Sequence, residues 1–133
     1  MAALLLVSED EAFAVAAGAL ADAELSLTRV GIEDAIAAVR RDHPDIVAVD
    51  ADSLRDARWL LGALSLITPA VVIALAHQAW PGSEAARSLR AAGAGVVLPK
   101  PSGPASPTLA GADRDAYRDW LARLAPITAP VDA

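Results

Sequence analysis

PDIVAVD, residues 44–50, carries the reading on which the rest of the chain depends. Pro44 cannot continue a helix, so a helix preceding it stops there. Ile46, Val47, Ala48 and Val49 then follow without a polar residue. A strand built from such a run is apolar on both faces, like a central strand of a parallel sheet that helices cover on both sides. The run ends on a carboxylate, Asp50. In layered α/β domains, ligands and reactive groups collect beyond the carboxyl ends of the strands, which makes Asp50 a candidate for chemistry.

Working outward, the same alternation recurs on both sides. Upstream, Ile32, Ala35, Ile36 and Val39 follow the i, i+3, i+4, i+7 rule of an amphipathic helix, with Arg40 and Arg41 at its C-terminal end. Leu25 to Val30 alternates apolar and polar, as an edge strand does, and Ala3 to Val7 is apolar throughout. Ser8 and Glu11 have capping-box spacing, which predicts a helix opening at Ser8 and running to about Ala21. Downstream, Ala57, Leu60, Leu61 and Leu64 mark a third helix, and Val71 to Ala76 a fourth strand. Pro81 suits the first turn of a helix that buries Leu89 and Ala92 and stops at Gly93. Gly95 to Lys100 is a fifth strand, and Asp113 is placed to cap a last helix with Tyr117, Trp120, Leu121 and Leu124 on its apolar stripe. Five strands alternating with five helices call for a parallel sheet covered on both faces. Ser102 to Ala112 reads as a loop, giving one domain over residues 1–126 and a C-terminal tail over 127–133.

Composition narrows the function. Of 133 residues, 55% are hydrophobic and only 4% aromatic, so the core is packed from small aliphatic side chains. Seventeen acids against eleven bases give a net charge of −6, which removes any general attraction to nucleic acid or to an anionic membrane surface. The absence of cysteine excludes disulfides and thiolate chemistry and suits the cytoplasm. The opening MAALLLV is too short, and too poor in flanking basic residues, for a signal peptide, and no run is long enough to span a membrane.

The strand ends hold Ser8 and Glu9, then Asp50, then Leu75 to His77, then Lys100. Two acids and a lysine at neighbouring ends are able to hold a divalent cation and to neutralise an added phosphoryl group. This constellation resembles the receiver domain of two-component response regulators, the CheY-like variant of the flavodoxin-like fold. The resemblance implies a doubly wound five-stranded parallel sheet in the order 2-1-3-4-5, with Asp50 as phosphoacceptor for a phosphohistidine donor. It also implies Mg2+ held by Glu9, Asp50 and the backbone carbonyl of Asp52, and Lys100 as the counter-charge of the Lys100-Pro101 element. Pro99-Lys100-Pro101-Ser102-Gly103 is similar to the same stretch in receivers of chemotaxis methylesterase regulators.

Three positions depart from the pattern. Ser8 replaces one of two acids, which weakens Mg2+ binding, with Asp10 the less favoured substitute because it falls inside the helix start; Leu75 stands where a hydroxyl residue usually follows the phosphate; and Val97 stands where a switching aromatic is usual. The segment from Ala51 to Arg58 also lacks the usual turn sequence. The expected function is a stand-alone receiver-type signalling protein of a bacterial phosphorelay. It would be non-enzymatic beyond self-phosphorylation and would engage a histidine kinase or other signalling protein by contact. The resemblance also implies a homodimer face on the fourth helix, fifth strand and fifth helix. Two alternatives remain open: a phosphorylation-independent pseudo-receiver that acts as an interaction module, and a small flavodoxin-like ligand-binding domain, against which the lack of a Gly-rich phosphate loop after Val7 counts. His43 and His77 read as surface residues, and Trp59 and Trp80 as candidates for a partner surface.

Overall fold

The structure, a computed structural model, describes residues 2–20 and 25–100. The elements run β1 (Ala2–Val7), α1 (Glu11–Leu20), β2 (Leu25–Val30), α2 (Ile32–Asp42), β3 (Ile46–Asp50), α3 (Ala57–Ile67), β4 (Val71–Ala76), α4 (Glu84–Ala92) and β5 (Val96–Pro99). All strand pairs are parallel, in the order β2-β1-β3-β4-β5. The sheet order therefore matches the expectation. Four helices lie among the described residues; the fifth, expected from Asp113 to Leu124, and the tail over 127–133 lie outside them.

Every residue of β3 is buried, as its unbroken apolar run requires. Side chains alternate between the two faces of the sheet. On one face Val47, Val49, Leu5 and Val7 pack with Leu60, Leu61 and Leu64 of α3, Val39 of α2 and Leu89 of α4. On the other, Leu4, Leu6, Ile46, Ala48, Ile73 and Leu75 pack with Phe13, Ala14 and Ala17 of α1. The two-residue period then has a consequence beyond packing. Ser8 continues the series Leu4, Leu6; Asp50 continues Ile46, Ala48; Lys100 continues Val96, Leu98. Backbone pairing extends one step past the strands, with Ser8 N–H donating to the Val30 carbonyl at 3.1 Å and Lys100 N–H to the Ala76 carbonyl at 2.9 Å. All three polar side chains are thus delivered to the α1 side at the carboxyl end of the sheet.

Two helix starts differ from the sequence reading. The cap of α1 is Asp10, whose Oδ1 accepts the Phe13 N–H at 3.1 Å, not Ser8. Ser8 is still held in the strand ladder, and its hydroxyl is used elsewhere. The start of α4 is set by Ser83, whose Oγ accepts the Ala86 N–H at 3.0 Å, so Pro81 lies in the turn before the helix. Gly93 ends α4 as expected, with φ of 133°; a Cβ there would also lie 2.8 Å from the Leu61 carbonyl oxygen, so α3 and α4 approach closely only because the residue is glycine. At the other end of the sheet order, α2 has no side-chain cap of its own. Its Ile32 N–H donates instead to Glu9 Oε1 at 3.1 Å, across the backbone of Gly31. No helix among the described residues is long and apolar enough to cross a membrane.

Candidate functional site

The carboxyl end of the sheet encloses a compact polar cluster. Asp50 is 0% exposed and Lys100 6%. Lys100 Nζ donates to Asp50 Oδ2 at 3.0 Å and to Asp10 Oδ2 at 3.1 Å, and lies 4.5 Å from the centre of the Phe13 ring. The aromatic face and two carboxylates thus surround one ammonium. Ser8 Oγ, fully buried, donates to Asp50 Oδ2 at 2.8 Å and accepts the Asp10 N–H at 3.0 Å. The remaining oxygen, Asp50 Oδ1, accepts the Asp52 N–H at 3.2 Å. Ser53 closes the rim: its Oγ accepts the Glu9 N–H at 3.0 Å and lies 3.4 Å from Ser8 Oγ.

The protonation states follow from these contacts. Burial pulls the Lys100 ammonium toward its neutral form, but its hydrogen bonds to Asp50 and Asp10 and their charges outweigh that cost and hold its pKa above the ordinary lysine value. The Phe13 N–H holds Asp10 below the usual carboxylate range, against partial desolvation and with help from Lys100. Lys100 therefore stays charged across the physiological range.

Asp50 and Lys100 meet as the sequence reading expected, and Glu9 does not join them. Its carboxylate serves the N-terminus of α2 through Ile32 N–H, where a negative charge is also favoured by the helix dipole. Asp10 takes the place in the cluster instead, because capping α1 turns its side chain back toward the sheet end. The signal was present in the sequence: an aspartate three residues before the first large apolar residue of the helix is an N-cap in its own right. Asp52 gives its amide to Asp50 and turns its carboxylate to the His77 N–H at 2.7 Å, with His77 Nε2 3.8 Å from the same oxygen. His77 is thus half-exposed and engaged, whereas His43 is the left-handed residue that ends α2, with φ of 47°. Leu75 pairs with Asp50 in the β3–β4 register, is fully buried, and has no hydroxyl to offer an anion. Val97 is buried on the opposite face of the sheet, among the α2–α4 core. Trp59 and Trp80 are exposed, at 63% and 54%.

The fold is similar to that of response regulator receiver domains. The response regulator domain of Thermotoga maritima CheB superimposes with a TM-score of 0.73 at 16% identity, over 100% of this chain and 99% of that one. A response regulator from Thermotoga maritima gives 0.73 at 19% identity, over 96% and 98%. The Vibrio cholerae chemotaxis protein CheY4 gives 0.67 at 19% identity, over 92% and 98%. No protein-family model matches the sequence, and no curated protein does.

The fold implies Mg2+ at this end of the sheet, and the residues present do not fit it. Magnesium asks for near-octahedral oxygen donors at about 2.0–2.1 Å. Here all four carboxylate oxygens of Asp10 and Asp50 already accept hydrogen bonds, and Glu9 is committed to α2. Among the described residues no group of three or more His, Cys, Asp or Glu side chains is arranged to hold a metal ion.

Proposed function

We propose that this protein is a receiver-type signalling module of the bacterial two-component kind that works by protein contact without turning over phosphate at Asp50. The observation that carries this reading is the occupancy of the Asp50 carboxylate: fully buried, with Oδ2 bound by both Ser8 and Lys100 and Oδ1 by the Asp52 amide. A nucleophile in that state must first lose donors that cost free energy to remove. Leu75 supports the same reading, since a phosphoryl group on Asp50 would find no hydroxyl at the end of β4 to draw inward. The partner is a histidine kinase or another signalling protein, recognised through the surface. The face anticipated from the fourth helix onward reaches residues outside those described.

A second reading keeps Asp50 as phosphoacceptor. It is favoured by the 3.0 Å contact between Asp50 and Lys100 at the carboxyl ends of β3 and β5, which sets a cation beside the attacking oxygen. In that reading Asp50 attacks phosphorus, the P–N bond of the phosphohistidine breaks, and the imidazole leaves. Incubation with acetyl phosphate and Mg2+ followed by intact mass decides between them. The expected result is unmodified protein; one added phosphoryl group, lost in Asp50→Asn, establishes the second reading instead.

A further inference from the structure

We infer that the ammonium of Lys100 occupies the place of the divalent cation in this site, so that the domain carries its own counter-ion and is metal-independent. The argument is one of volume and donors. A single nitrogen lies 3.0 Å from Asp50 Oδ2 and 3.1 Å from Asp10 Oδ2, so a cation shared by these two oxygens would have to take the space the ammonium fills. Three further features fix it there. The Phe13 ring covers it at 4.5 Å, the side chain is nearly sealed from water, and Lys100 N–H is anchored to the Ala76 carbonyl at 2.9 Å. The other acids nearby are engaged elsewhere, Glu9 at the start of α2 and Asp52 on the His77 N–H, and among the described residues no three acids are arranged to hold an ion. This inference deepens the function proposed above by explaining how the site dispenses with metal, yet it is measured without any phosphoryl donor.

The test is a Mn2+ titration read by the signal of free Mn2+. Wild-type protein is expected to show no saturable site to low-millimolar concentration, and Lys100→Met to gain one. That gained site should vanish again when Asp10→Asn or Asp50→Asn is added to Lys100→Met. Saturable binding to the wild type that Asp50→Asn removes overturns the inference, as does a folded Lys100→Met variant with no site. Should Lys100→Met fail to fold, amide resonances of the wild type under Mg2+ still decide: those of Asp10, Asp52 and Ser53 stay fixed if the inference holds, and movement of all three overturns it. Phosphorylation by acetyl phosphate would defeat the functional reading while leaving these metal outcomes unchanged, so the two fail separately.

Discussion

The carboxyl end of the sheet and the outer face of α3 break the usual distribution of residues in opposite directions. One hides charge: Ser8, Asp50 and Lys100 are buried together. The other displays apolar surface: Trp59 is 63% exposed and Leu66 87%. A helix turns 100° per residue, and with Ala57, Leu60, Leu61 and Leu64 buried, Trp59 and Leu66 fall on the side away from the core. Burial of an ion pair stabilises little relative to an apolar replacement but becomes costly once a partner is removed. Exposed apolar side chains, by contrast, contribute little to the fold and can be removed freely. The difference separates a region where every substitution is felt by the fold from one where substitutions are felt only by whatever the surface meets.

The sharpest way to break this contrast is Lys100→Met. It leaves Asp50 buried with only neutral donors, and the expected loss is about 3–5 kcal/mol at pH 7. Urea denaturation of the variant against wild type measures it. Arg41 and Asp42 form an ion pair of similar length, 2.9 Å, on the surface of α2. Arg41→Met should leave the urea midpoint unchanged, because exposed pairs are screened and seldom contribute measurably.

Ser8→Ala is expected to cost less, about 1–3 kcal/mol, because it removes one donor from Asp50 Oδ2 and the acceptor of the Asp10 N–H without uncovering a charge. A loss comparable to that of Lys100→Met would mean that the hydroxyl, not the ammonium, governs the Asp50 environment.

Acid and alkali probe the same cluster more gently. Asp10 is depressed in the folded protein, so its contribution is present above the unfolded value of about 3.9 and is lost as pH falls through its folded pKa. Lys100 is raised, so its contribution is complete below about 10.4 and is lost as pH rises through its folded pKa. Thermal midpoints should therefore fall at both ends of that window. Asp10→Asn should flatten the acid limb more than the alkaline one, and equal flattening of both limbs would count against the assignment.

How much of this was legible beforehand depends on the kind of signal. The strand run of residues 46–50, the period of Ala57, Leu60, Leu61 and Leu64, and the stop at Gly93 are local patterns with one physical solution, and the structure follows them. The pairing of Asp50 with Lys100 followed from topology, since parallel strands deliver their ends to one side. The exchange of roles between Glu9 and Asp10 was legible only in part: the N-cap signal of Asp10 was there, but not which acid would take which helix start. Two adjacent acids compete for two helix starts, and the outcome depends on Gly31 letting Glu9 approach the backbone of α2. Capping-box spacing at Ser8 misled for a related reason: the same hydroxyl had a buried carboxylate within reach, which only the three-dimensional register reveals.

The smallest effect belongs to the outer face of α3. Leu66→Ser changes a side chain that is 87% exposed, so the transfer term nearly vanishes and what remains is helix propensity. The expected change is within about 0.5 kcal/mol, near the usual limit for surface substitutions away from caps and contacts. Urea denaturation at two protein concentrations gives the measurement its force. A loss well above that limit, growing with protein concentration, would mean that Leu66 is covered by another copy of the chain in solution, and the face would then belong with the buried regions. A small, concentration-independent change keeps the contrast intact: charge enclosed at the sheet end and apolar surface displayed on α3, where its removal costs the fold almost nothing.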